Sequence, residues 1–127
     1  MLSNELQTAC IFEYMYRDAS NWKTYGEIMF SGGCTQGLHD ELAACCEGNE
    51  LFVAEQVDVR PLQPAHHIKY GGPSELDHAF HEFKGIRAAT ADDINRITLM
   101  GDLSDFVRRM HISKGRWNCA LSPYGWF

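Results

Sequence analysis

Arg108-Arg109-Met110-His111-Ile112-Ser113-Lys114-Gly115-Arg116 sets four permanent cations within nine residues. Guanidinium and ammonium groups hold phosphates through charge-assisted hydrogen bonds, so this run is a candidate anion site with Arg108 and Arg109 as phosphate ligands. The same composition suits a solvated helix end, where cations complement the macrodipole. A second candidate is Tyr16-Arg17-Asp18-Ala19-Ser20-Asn21-Trp22-Lys23. Arg17 and Lys23 bring charge, Asp18 and Asn21 bring side-chain hydrogen bonds, and Trp22 brings a face on which a base can stack, as can Phe80. The alternative for this stretch is a structural turn in which Asp18 accepts backbone donors and Arg17 pairs with it.

Asp77-His78-Ala79-Phe80-His81-Glu82, with His66 and His67 nearby, has the residue types of a transition-metal site. A metal-dependent hydrolase on His66, His78, His81 and Glu82 is therefore the enzyme reading. On a helix His78 and His81 would share a face, whereas an extended segment would send them to opposite faces. The glycine–proline turn before them and Phe80, Phe83 and Ile86 favour the extended form, with the histidines holding backbone. Cys34, ahead of an expected helix, is better placed for a reactive thiol than Cys45 and Cys46 beside Glu47, although small buried cysteines are the commoner outcome. Nucleophile-elbow, phosphate-loop and dinucleotide motifs are absent, and no cofactor is implied.

These residues must be positioned by a chain of 127 residues, enough for one domain. Hydrophobic residues make up 45% and charged residues 22%, which argues against disorder. No apolar run approaches the roughly 20 residues that span a bilayer, and the first residues lack the pattern of a secretory signal. Five cysteines, two of them adjacent, make a poor disulfide framework and suit a reducing cytoplasm. Net charge is −6, and it is uneven. Residues 1–90 hold 13 acidic and 6 basic side chains (−7), whereas residues 91–127 hold 4 and 5 (+1). That balance excludes a broad basic face for long nucleic acid. It leaves open an inhibitor whose acidic portion engages a basic host effector.

Period-two alternation predicts a hairpin, Cys10 to Arg17 returning as Trp22 to Phe30 around Asp18–Asn21. Thr35 as N-cap, with Leu38, Leu42 and Cys45 on one face and Gly48 beyond, predicts a helix. Leu51 to Val59, His66 to Tyr70 and Phe80 to Ile86 read as further strands, with Pro61 and Pro64 barring regular pairing between the first two. Thr90 and Asp93 form a capping-box pattern before a helix carrying Ile94, Ile97 and Met100, which Gly101 stops. A last helix starts near Asp102 or Ser104 and buries Leu103, Phe106, Val107 and Met110. The expectation is a single α+β domain over residues 1–127. Its mostly antiparallel sheet (about 8–89) carries one helix, and two C-terminal helices and an apolar tail with Trp117, Trp126 and Phe127 follow (about 90–127).

Tyr14 through Gly26, Leu62-Gln63-Pro64 and Asp77 through Phe83 are similar to small phage and prophage proteins, and most resemble the first Thoeris anti-defence family. The resemblance spans about two thirds of the chain. It implies a non-catalytic sponge for cyclic ADP-ribose isomers, and also for cyclic oligonucleotides, assembled as a dimer or hexamer in the host cytoplasm. It places no ligand contact on a particular residue. The candidate ligand-binding set therefore rests on charge and aromatic faces: Arg17, Asp18, Asn21, Trp22, Lys23, Phe80, Arg108 and Arg109. A plain homo-oligomeric structural protein is the background alternative.

Overall fold

A computed structural model of the chain describes residues 8–124. Apolar and aromatic side chains at alternate positions carry strand β1 (Ala9–Arg17), and the returning β2 (Lys23–Ser31) pairs with it antiparallel throughout. The turn between them is closed by Asp18, with Asn21 at φ 72°, a left-handed conformation that asparagine tolerates. β4 (Phe80–Ala88) lies antiparallel on the other side of β1, and β3 (Leu51–Val53) pairs antiparallel with β4. β5 (Leu99–Asp102) joins the far edge parallel to β2, so the order is β3-β4-β1-β2-β5. The fold is α+β as expected, but the five-stranded sheet is mixed.

One face of the sheet builds the main core. Helix α1 (Leu38–Cys45) buries Leu38, Leu42 and Cys45, and helix α4 (Leu103–Ser113) buries Leu103, Phe106 and Met110. Both pack against Cys10, Phe12, Phe30 and Phe83 in one cluster. Phe106 stacks on Phe30 at 4.5 Å and meets Phe12 edge-on at 4.9 Å. The short helix α3 (Ala91–Arg96) covers part of the opposite face, where Ile94 and Ile97 pack on Ala9, Ile11 and Met29. Beside them Arg87 bridges Glu13, Glu27 and Asp93, and Arg96 bridges Glu27, Asp92 and Asp93. Among the described residues no helix is long and apolar enough to cross a membrane.

Several expectations are corrected. His66 to Tyr70 is not a strand: Gln63–Tyr70 forms helix α2. Pro64 does bar sheet pairing, but it sits in the first helical turn, where a missing N–H costs nothing and a fixed φ suits the helix. The strand from Leu51 to Val59 ends at Val53, because the chain tightens into a 3₁₀ turn over Ala54–Val57 that buries Ala54 and Val57. The helix through Met100 ends at Arg96. Ile94 and Ile97 do share a surface, but Ile97 is already extended and leads into β5, within the stretch expected to be helical. The Thr90–Asp93 capping box is present as read, with both reciprocal bonds made. Thr35 is not the cap of α1; Gly37 is. Trp117 packs on the core and donates its indole N–H to Cys45 O at 3.0 Å, whereas Trp126 and Phe127 lie outside the described residues, so no apolar tail is seen.

Gly26, on the core face of β2, faces Tyr14 across the ladder. A Cβ there would lie 2.7 Å from Tyr14 Cε1 and 2.9 Å from Leu62 Cδ2. The Tyr14 ring is buried and its hydroxyl donates to Arg60 O at 2.6 Å, so it cannot step aside. Gly26→Ala is expected to cost about 2 kcal/mol of overpacking. A urea midpoint equal to that of the parent would remove Tyr14 as a fixed wall.

Candidate functional site

The hairpin turn is fastened to α2 by one carboxylate. Asp18 Oδ1 accepts the N–H groups of Ser20 (2.8 Å) and Trp22 (3.1 Å), and Oδ2 lies 2.8 Å from His66 Nε2. The other ring nitrogen, Nδ1, is 2.7 Å from the Thr24 hydroxyl. The arrangement fits His66 giving Nε2–H to Asp18 and accepting from Thr24. Burial works to raise the pKa of Asp18, but the bonds from His66, Trp22 and Ser20 outweigh it and hold the carboxyl below its usual range.

A second carboxylate fastens the loop after α2. Buried Asp77 receives the Tyr16 hydroxyl (2.6 Å) and the Ser74 N–H (2.9 Å), and it faces His67 Nε2 (2.9 Å). Here too burial opposes ionisation, and the Tyr16, Ser74 and His67 contacts overcome it. The adjacent histidines of α2 thus each hold one aspartate, from elements on either side of the helix.

These two ties shape a cleft of about 430 Å³ lined by Trp22 and Tyr70, by Asp18 and Ser20 of the turn, and by Gly71, Gly72, Ser74 and Leu76 of the loop. Trp22 is 55% exposed and meets Tyr70 edge-to-face with centroids 4.7 Å apart. Tyr70 is fixed by its hydroxyl, which donates to Lys23 O at 3.1 Å, and by the His66 ring at 4.8 Å. Lys69 Nζ stands 5.0 Å from the Tyr70 centroid. Aromatic faces beside a cation can receive a planar ring carrying negative charge nearby.

Of the predicted ligand residues, the structure brings Asp18 and Trp22 to this cleft. Arg17 is committed elsewhere: Nε bonds Glu82 at 2.9 Å and Nη1 bonds Asn21 Oδ1. Lys23 contributes its carbonyl to Tyr70. Phe80 begins β4 opposite Val53 and is not part of the lining. Arg108 pairs with Asp105 at 3.1 Å on the exposed side of α4. Arg109 donates Nε–H to Val57 O at 2.9 Å and lies over Phe106. The two arginines therefore serve α4 and the 3₁₀ turn, and neither lines the cleft. Tyr70, which completes the aromatic pair, is not among the residues that charge and type single out, because it ends α2, a segment whose sequence reads as a strand. The i, i+4 spacing of His66 and Tyr70 was the available signal.

The histidines of the hydrolase reading do not converge. His81 Nε2 accepts Leu62 N–H at 2.9 Å, and Nδ1 is 3.3 Å from Ala79 O. His78 Nε2 meets Arg17 O at 2.6 Å while Nδ1 accepts Phe80 N–H. His66 is used at both nitrogens by Asp18 and Thr24, and Glu82 is held by Arg17 and Lys84. Each imidazole is spent on holding the chain, and no group of three metal-binding side chains is found among the described residues. Three of the thiols are likewise unpromising: burial pushes Cys10 and Cys46 up to about 12 and raises Cys45. No protein-family model, curated protein or solved structure matches the chain.

Proposed function

We propose that the protein is a non-catalytic trap for a cyclic nucleotide signal, a cyclic ADP-ribose isomer or a cyclic oligonucleotide, with a base seated in the Trp22–Tyr70 cleft. The observation that carries this reading is a largely exposed tryptophan held edge-on against a fixed tyrosine at the mouth of a cleft within the volume range of small-molecule sites. The neighbouring hydroxyl, imidazole and carboxyl groups are bonded to one another, which suits holding a ligand rather than cleaving it. Lys69 supplies positive charge beside the stacked ring, where Arg108 and Arg109 were expected to do so. Assembly as a dimer or hexamer belongs to the same proposal, and it would make exposed Arg108 available to a neighbouring copy.

Calorimetric titration with cyclic ADP-ribose isomers and cyclic dinucleotides tests the reading, followed by heat release and mass analysis of the ligand. Saturable binding and recovery of intact ligand are expected. Trp22→Ala should weaken binding at least tenfold, in line with the ~1–3 kcal/mol of a base–aromatic stack, and Arg109→Ala should leave the affinity within twofold. A linear product would make the protein a hydrolase, and failure to bind any of these ligands would end the proposal.

A further inference from the structure

The register of the hairpin decides which backbone groups face outward. At one end of the β1–β2 ladder Gly32 N–H donates to Thr8 O at 3.1 Å, and at the other Asp18 N–H donates to Trp22 O at 3.1 Å. Bonded and non-bonded pairs alternate in an antiparallel ladder, so Thr24, Gly26 and Ile28 bond to β1. Lys23, Tyr25, Glu27 and Met29 then turn their N–H and C=O groups the other way. β5 takes up that side only from Met29, opposite Leu99, onward. Lys23 O is taken by the Tyr70 hydroxyl. The donor and acceptor of Tyr25 and of Glu27 are left outside the β2–β5 ladder, on an open sheet edge.

Tyr25 and Glu27 border a groove of about 490 Å³ whose other wall includes Arg60, Ile97, Thr98 and Met100. Tyr25 is 68% and Met100 52% exposed. The charge of the groove turns on Arg60, whose guanidinium reaches the Tyr14 hydroxyl but, among the described residues, no carboxylate. Glu27 is doubly neutralised, Oε1 by Arg96 at 3.0 Å and Oε2 by Arg87 at 3.1 Å. Arg60 is exposed, and among the described residues no carboxylate pairs with it. A chain of net charge −6 therefore presents here an uncompensated cation beside unpaired strand backbone and two apolar side chains.

We infer that this groove is a strand-addition site for an extended, carboxylate-bearing peptide. Its backbone pairs with Tyr25 and Glu27, its carboxylate sits on Arg60, and its apolar side chains pack on Tyr25 and Met100. A second copy of the chain is the poorer occupant, since a two-fold pairing through this edge sets one cationic groove against another. The inference is independent of the nucleotide reading, which rests on Trp22 and Tyr70.

A library of random octapeptides displayed through their C-termini, so that side chains alone supply carboxylates, selected on the intact protein and copied as C-terminal amides, tests it. The enriched peptides should carry acidic residues, and synthetic copies should bind Arg60→Gln at least fivefold more weakly. Tyr25→Pro removes one edge-facing N–H and no bond to β1, and should reduce binding at least tenfold while the melting curve confirms the fold. Amide shifts on peptide addition should centre on Tyr25 and Glu27, and both variants should keep any nucleotide affinity of the parent. The inference is overturned if no peptide is enriched, if the selected peptides lack acidic residues, or if Arg60→Gln binds them equally. It is also overturned by shifts centred on the Trp22–Tyr70 cleft, or by a concentration-dependent dimer that Met100→Lys disperses while no peptide is enriched.

Discussion

His81→Ala should lower the unfolding free energy by about 4 kcal/mol, from the cavity left by a large buried ring together with a stranded donor. The imidazole is wholly buried, with Tyr14, Tyr16 and Phe52 around it at centroid distances of 5.9, 5.5 and 5.8 Å. Its Nε2 is the acceptor for Leu62 N–H, in the residue that precedes the first turn of α2, and Leu62 O in turn accepts His66 N–H. Removal of the ring orphans a buried donor at the point where α2 is set on the sheet. Domains of this size are typically stable by only ~5–15 kcal/mol, so the loss is a large share of the whole. His81→Gln, whose side-chain carbonyl can accept the same N–H, should recover about half of it. Urea unfolding measures both variants. A loss below 1 kcal/mol in His81→Ala would show that the Leu62 bond and the ring packing contribute little.

How much of this was legible beforehand differs by element. The β1–β2 hairpin and its turn were readable, because period-two apolar spacing and an Asp/Asn/Ser turn agree with each other. The Thr90–Asp93 cap and the buried stripe Leu103, Phe106, Met110 were readable for the same reason: local chemistry and tertiary burial point one way. α2 was hidden because six of its eight residues, Pro64 to Lys69, show no apolar face, with Ile68 exposed and His66 buried. Its burial is polar and depends on Asp18 and Thr24, which are far away in sequence. β5 was hidden because Ile94, Ile97 and Met100 fit a helical period, while only the first two share a surface. For the site, Trp22 and Asp18 stood out by type, but no spacing rule links Trp22 to Tyr70 across 48 residues. The Arg108–Arg109 pair shows the converse. Density of charge in sequence does not say which guanidiniums are already spent on a backbone carbonyl or a neighbouring carboxylate, and Arg60, alone in its stretch, is one that is not.

Acid should loosen the protein in two stages. Burial drives the His81 pKa from 6.5 down to about 3, since a charged imidazole in that pocket would lose its hydration. The native state then refuses a proton that the unfolded chain accepts, so stability is complete above the unfolded value of about 6.5 and falls as pH drops toward the folded value. The carboxylates act over a lower window. Burial opposes ionisation of Glu82, but bonds from Arg17 and Lys84 bring it from 4.5 to about 2. Asp18 and Asp77 are lowered by the bonds that fasten the turn and the loop to α2. For these groups the stabilisation is present above the unfolded carboxylate range and disappears as pH falls through the depressed values. Comparing the parent with His81→Gln by urea unfolding at pH 7, 6, 5 and 4 isolates the first stage, because the Asp18–His66 and Asp77–His67 pairs are common to both. The gap between them, about 2 kcal/mol at pH 7, should shrink by about 1.4 kcal/mol per pH unit below pH 6.5, close near pH 5 and reverse by pH 4. Below pH 4.5 both proteins should lose stability together, and Trp22 fluorescence should change in step as Asp18 releases its backbone donors. A gap that stays constant from pH 7 to pH 4 would mean that His81 takes up its proton without leaving the fold, and that its neutral form is not what holds Leu62 and the start of α2 in place.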